Sequence, residues 1–298
     1  MLAVEHVRKD FGEIRAVRDV SFALPAASTF GLIGPNGAGK TTTMRMILNI
    51  LTPDGGRITW HGVGIDSRLR RTFGYLPEER GLYGKMNVRE HIAYFGRLHD
   101  LREPEVSQRT DSWIERLGLA QYANRPCAEL SKGNQQKVQI ACAAVHQPKL
   151  LVLDEPFSGL DPVNADILFA TFTEMRAAGT TLVLSSHQMW QLEQLCDTFC
   201  IITGGENRAM GTLAQLRAAW PTRVLRVEPA SGAVAAVLDR IPGARRLGSE
   251  QGALDYEIPA GTSLPETLRA LVSAEAITRF EAIEPSLHDI YIKAIEAP

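Results

Sequence analysis

Little in this chain could carry it across a membrane. Its longest apolar stretches, such as Leu150 to Leu153 and Thr181 to Leu184, are only a few residues long. A span needs roughly 18 or more. The N-terminal run Met1-Leu2-Ala3-Val4-Glu5-His6 shows no basic-then-apolar leader, so secretion is not expected. No block of like charge is present. Lys+Arg 32 against Asp+Glu 34 gives a net charge of -2, which argues against a nucleic-acid partner. Cysteine is scarce, with four residues at 127, 142, 196 and 200 that lack the paired spacing of a zinc site or a disulfide framework. The spacing of Cys196 and Cys200 reads as one helical turn and suggests two packed, reduced thiols, with metal binding at that pair as the alternative. What remains is an ordinary globular composition, 45% hydrophobic over 298 residues, enough for one large domain and a small one.

Apolar patterning lays out the larger domain. Leu2 to Val7 and Val20 to Leu24 read as strands near a sheet edge, and Thr29 to Ile33 as a buried strand running into a glycine-rich loop. Thr42 to Leu51 follows with helical spacing. Arg57 to Trp60 and Thr72 to Leu76 are further strands, and about 87–145 forms an inserted helical lobe. Leu150 to Leu153 and Thr181 to Ser185 are buried strands, each followed by a helix, Val163 to Met175 and Met189 to Cys196. Alternating strands and helices predict an α/β fold with a largely parallel sheet, its ligands at the carboxyl ends of the strands. Trp220-Pro221 suggests a boundary, dividing the chain into 1–217 and 218–298. The second part reads strand, helix, two strands, helix, strand and a last helix, the order of a ferredoxin-like split β-α-β unit in a small α+β domain.

The chemistry begins at Gly34-Pro35-Asn36-Gly37-Ala38-Gly39-Lys40-Thr41, which fits G-x-x-x-x-G-K-[ST] and continues into Thr42. Glycines let backbone N–H groups turn toward phosphates, the helix N-terminus adds a favourable dipole, Lys40 neutralises charge and Thr41 offers a hydroxyl to Mg²⁺. This predicts a P-loop ATPase using ATP and Mg²⁺. Asp154 and Glu155 end the buried strand at Leu150 to Leu153. Successive strand positions point in opposite directions, so Asp154 suits the Mg²⁺ shell and Glu155 the attacking water.

In Leu130-Ser131-Lys132-Gly133-Asn134-Gln135-Gln136-Lys137 the chain resembles the signature motif of the ATP-binding cassette (ABC) ATPases. Lys132 and Asn134 stand where Gly and Gln are commonest. The resemblance continues through Ser158-Gly159-Leu160-Asp161, which looks like the D-loop, and Ser185-Ser186-His187, which looks like the switch histidine, and covers roughly 1–217. It implies that Ser131 and Gly133 serve the ATP of an opposite subunit, that Asp161 belongs to that shared site, and that His187 meets the γ-phosphate. Phe11 occupies the place of the aromatic residue that stacks on adenine, for which a ring face is enough. In Gly74-Tyr75-Leu76-Pro77-Glu78-Glu79-Arg80 the family's Mg²⁺-contacting glutamine is replaced by Glu78. A carboxylate can still join a Mg²⁺ shell, perturbing the metal dependence rather than abolishing hydrolysis.

Together these features imply the nucleotide-binding subunit of an ABC transporter, working as a head-to-tail homodimer with separate transmembrane permease subunits on the cytoplasmic face of the membrane. The segment from Glu79 to Met86, with Tyr83, is a candidate docking groove. Glu78 to Tyr83 and the C-terminal Glu284 to Tyr291 are similar to a bacterial subgroup with a small C-terminal extension, many of whose members are linked to efflux of sodium, drugs or antibiotics. A soluble ABC ATPase of DNA repair, chromosome organisation or translation is the alternative. Against it, Lys40 to Ser131 holds a compact lobe rather than long coiled coils, and the chain carries a single cassette.

Overall fold

A computed structural model describes residues 1–79, 81–250 and 252–296, so Arg80 of the 74–80 run lies outside the described residues. The chain divides into two compact units, Met1–Met210 and Gly211–Pro298.

In chain order the first unit contains β1 (Leu2–Phe11), β2 (Ile14–Leu24), β3 (Thr29–Ile33), α1 (Lys40–Ile47), β4 (Gly55–Trp60), β5 (Val63–Gly64), α2 (Ser67–Arg70) and β6 (Phe73–Leu76). The helical lobe follows as α3 (Val88–Leu98), α4 (Glu105–Arg116) and, after two short 3-10 turns, α5 (Lys132–Ala144). The chain then forms β7 (Leu150–Leu153), α6 (Pro162–Ala177), β8 (Thr181–Ser185), α7 (Met189–Leu195), β9 (Thr198–Thr203) and β10 (Glu206–Gly211). Ten strands join in the order β5-β4-β1-β2-β10-β9-β3-β8-β7-β6. The β9-β3-β8-β7-β6 portion is parallel, while β1 pairs antiparallel with β2 and β4. Every residue of β3, β7 and β8 is buried, which is why their sequences are apolar without alternation.

Several elements differ from the sequence expectation. β1 and β2 are longer, and β1 lies between β2 and β4 rather than at an edge; the edges are β5 and β6. α1 begins at Lys40 and ends at Ile47, because Asn49 turns left-handed (φ 51°) and its side-chain amide donates to the Ile65 carbonyl at 2.9 Å. Cys196 and Cys200 are not one helical turn apart. Cys196 caps the end of α7 and Cys200 lies in β9, so the two share no helix face. All four cysteines are free, and burial pushes the Cys200 thiol up to about 12. β5, β9 and β10 are additional strands that the apolar pattern did not reveal.

The second unit comprises α8 (Leu213–Ala218), β11 (Thr222–Glu228), α9 (Gly232–Leu238), β12 (Arg245–Glu250), β13 (Ala253–Pro259), α10 (Leu264–Ala274), β14 (Arg279–Ile283) and α11 (Leu287–Glu296). Its antiparallel sheet runs β12-β13-β11-β14, the expected split β-α-β arrangement. Leu225, Val227, Leu254, Tyr256 and Ile258 of the sheet pack with Val234, Leu238 and Leu271 of α9 and α10. Alternate residues carry charge instead, as in the Arg226–Asp255 and Arg245–Glu257 pairs. α8 escaped the sequence reading although Thr212 and Gln215 form a capping box, a legible signal.

Candidate functional site

The loop between β3 and α1 is shaped by two glycines. A Cβ on Gly34 would lie 2.3 Å from the Ile202 carbonyl oxygen, and Gly39, at φ +100°, caps α1 where a Cβ would lie 2.5 Å from the Ala16 carbonyl oxygen. Lys40 then enters the helix with its side chain folded back. Its Nζ donates to the carbonyls of Gly34 at 2.7 Å and Pro35 at 3.1 Å. Burial lowers its pKa, opposed by the charges of Glu155, Asp154 and Glu78.

Across from this loop, Thr41 Oγ1 donates to Asp154 Oδ2 at 2.7 Å, and Ser185 Oγ donates to Asp154 Oδ1 at 2.5 Å. The same Ser185 hydroxyl accepts the Glu155 N–H at 3.0 Å. Adjacent acids in an extended strand would diverge, but Glu155 lies just past β7 with φ 52°, a left-handed turn that brings both acids to one cleft. This corrects the expectation of opposite faces. The Glu155 side chain is 11% exposed; its Oε2 accepts the His187 N–H at 3.3 Å, and His187 Nε2 lies 3.2 Å from Oε1 without hydrogen-bond direction. Desolvation raises the Glu155 pKa, opposed first by His187 and then by Lys40.

Phe11, residues 36–42, Glu78, Asp154, Glu155 and His187 line one cleft of about 460 Å³. Gly34 and Pro35 do not line it; their carbonyls hold Lys40, which does. Phe11 is 46% exposed, leaving a ring face open. Ile14, Arg15 and Ala16 also line the cleft, and no sequence signal had singled them out.

Ser131, Gly133 and Asp161 do not line this cleft. They gather at the N-termini of two other helices. Ser131 caps α5 by accepting the Asn134 N–H at 3.3 Å, and Asp161 caps α6 by accepting the Asn164 N–H at 3.0 Å. Lys137 Nζ donates to Asn164 Oδ1 at 2.9 Å, and a Cβ on Gly133 would lie 3.3 Å from Leu160. Gln136, 5% exposed, joins this group to the cleft by donating to the Pro156 carbonyl at 3.1 Å. Its part was hidden because Pro156 lies 20 residues away in sequence.

Hard oxygen donors beside a cationic lysine suit a nucleotide triphosphate with Mg²⁺. Comparison with known proteins agrees with that chemistry. Residues 17–158 match the family model described as ABC transporter, and 211–295 match the model of the C-terminal domain of ATP-binding protein DrrA1-3-like. The chain is 38% identical to the uncharacterized ABC transporter ATP-binding protein YhaQ of Bacillus subtilis over 100% of this chain and 99% of that one. It is 34% identical to the linearmycin resistance ATP-binding protein LnrL of Bacillus subtilis, covering 72% of this chain and 70% of the relative. Identity to the Nod factor export ATP-binding protein I of Rhizobium sp. is 37%, covering 69% of each. A solved structure of the ATP-binding subunit of an ABC transporter superposes with TM-score 0.69 at 33% identity, covering 73% of this chain and 92% of that one.

Proposed function

Because the chain belongs to the ABC transporter ATP-binding family, an ATP-hydrolysing one, we propose that it powers an exporter as a head-to-tail homodimer on the cytoplasmic face of a membrane. No helix among the described residues is long and apolar enough to cross a membrane, so the transport path in this reading belongs to separate permease subunits. The observation that carries the dimer is the separation of the two groups of site residues. Lys40, Thr41, Asp154, Glu155 and His187 share one cleft, while Ser131, Gly133 and Asp161 lie outside it, available to a second copy's nucleotide. Export is supported by the relatives named for linearmycin resistance and Nod factor export.

In this mechanism Lys40 leaves its two carbonyls for the phosphates, and the backbone N–H groups of the loop and α1 meet the remaining negative charge. Thr41, Asp154 and Glu78 would hold Mg²⁺ bound with the nucleotide, and the ion would supply charge neutralisation on the phosphates. Ser185 holds the carboxylate of Asp154 in place. Glu155, made more basic by burial, takes a proton from the attacking water, and His187 orients the γ-phosphate side of that water. Phe11 offers its ring to the base. Closure of the dimer on ATP and reopening after hydrolysis would drive the permease, docked at Glu79 to Met86, between its access states.

The test is light scattering of the Glu155→Gln chain with ATP or with ADP. A dimer with ATP alone is expected, and a monomer under both conditions would reject the shared-site reading. Co-purification of a polytopic membrane protein with the wild-type chain would establish the permease partnership.

A further inference from the structure

Glu155 is held in its left-handed turn (φ 52°) from two sides. On one side its N–H donates to Ser185 Oγ, at the end of β8, at 3.0 Å. On the other, Gln136 of α5 reaches across 20 residues of sequence, its Nε2 donating to the carbonyls of Pro156 at 3.1 Å and Glu155 at 3.4 Å. The Glu155 carbonyl also accepts the Ser158 N–H at 3.1 Å, so the shorter bond to Pro156 is where Gln136 contributes most. Gln136, Glu155 and Pro156 are all buried, out of reach of water that could replace a lost donor. Two more residues of α5 meet the far end of the same segment: a Cβ on Gly133 would lie 3.3 Å from Leu160, and Lys137 donates to Asn164. The first turns of α5 thus brace the backbone from Glu155 to Asn164 at both ends. A non-glycine residue with positive φ is strained and keeps that conformation only while its surroundings hold it.

We propose that Gln136 is a positioning residue for hydrolysis: by gripping the backbone that follows Glu155, it keeps the left-handed turn in place and so aims the Glu155 carboxylate at the attacking water. The inference rests on the reading of Glu155 as the base for that water. Gln136 does not line the cleft and touches neither nucleotide nor water in this scheme. Without its grip the turn relaxes toward the extended backbone of β7, in which neighbouring side chains point to opposite faces. Glu155 then leaves the cleft, while Lys40, Thr41 and Asp154 stay where they meet the phosphates. The loss falls on kcat and spares ATP affinity.

The experiment measures kcat, KM for ATP, fluorescent-nucleotide affinity and Tm across pH for the full chain and its variants. Gln136→Met keeps the length of the side chain and removes the donor. Its kcat is expected to fall about 10- to 100-fold, with nucleotide affinity unchanged. Gln136→Glu regains a donor only when its carboxyl is protonated. Its kcat should therefore recover toward the wild-type value as pH falls, a dependence that lost packing alone does not produce. That second profile also decides the matter if Gln136→Met does not fold. Wild-type kcat in Gln136→Met, an equal loss of ATP affinity, or a pH-independent deficit in Gln136→Glu would overturn the positioning role; with Glu155→Gln inactive, the base reading would stand. Wild-type turnover in Glu155→Gln would overturn both.

Discussion

The two units treat their buried polar groups in opposite ways. In the first, Lys40 has only the carbonyls of its own loop, Glu155 keeps a buried oxygen without a hydrogen bond, and Gln139 carries a buried amide oxygen with no partner. In the second, the hydroxyl of Tyr256, 1% exposed, donates to Asp239 at 2.7 Å, and Arg226 grips Asp255 with two bonds of 2.7 and 2.6 Å. Among the described residues, every buried side-chain nitrogen or oxygen without a partner precedes residue 211. Unpaired groups cost stability, so a unit that retains them in a cleft and in the apolar groove that Gln139 lines is arranged for something that arrives later. Thr29, Thr43, Thr110, His146, Thr203 and Asn207 also carry unpaired buried atoms away from both, and nothing in the structure explains them.

The strongest way to break this comparison is Glu155→Gln, which should lower ATP hydrolysis by about 10²- to 10⁴-fold while retaining ATP binding. Phosphate release and fluorescent-nucleotide titration measure the two effects, and near-wild-type turnover would remove Glu155 from the base role. The same variant sharpens the argument through pH. Burial raises the Glu155 pKa above its ordinary 4.5, so the folded chain holds that proton more tightly than the unfolded one. Its stabilising effect is present below 4.5 and is lost as pH rises through the raised value. Thermal melts should therefore show the wild type losing stability relative to Glu155→Gln as pH climbs through that window; a constant difference would contradict the burial account.

Changes in the second unit should alter stability without altering hydrolysis. Tyr256→Phe is expected to cost about 1 kcal/mol in urea unfolding, because it removes a hydrogen bond whose acceptor, Asp239, remains exposed to water. A loss of turnover at unchanged stability would show that this unit takes part in catalysis. The smallest effect belongs to Arg245→Ala. That side chain is 70% exposed in its pair with Glu257, and unfolding should shift by no more than about 0.5 kcal/mol.

Contiguity explains what could be read in advance. Gly34 to Thr42 is a single run whose spacing is dictated by the phosphates it must surround, and β3, β7 and β8 match their apolar runs residue for residue because both faces are buried. β9 and β10 were missed because β9 follows directly on α7 and β10 opens with the polar run Glu206, Asn207 and Arg208, leaving no clean period. Within the site, Asp154 and Glu155 were legible as residues but not as a geometry. The left-handed turn at Glu155 is stabilised by Ser185, 30 residues further on, and no local pattern announces it.

The amino-acid sequence by itself determined the chemistry of this protein: a phosphate loop, a pair of acids at a strand end, a histidine after the next strand, and a fold able to present them together. Those features depend on backbone spacing and on burial along single elements, which nearest neighbours in the chain impose. Only the tertiary structure decided that both acids face one cleft, that Ser131, Gly133 and Asp161 stand apart from it, and that Gln139 Oε1 is buried with no partner among the described residues. Each of these depends on which distant groups lie within hydrogen-bonding reach, and that is settled only when separate elements pack.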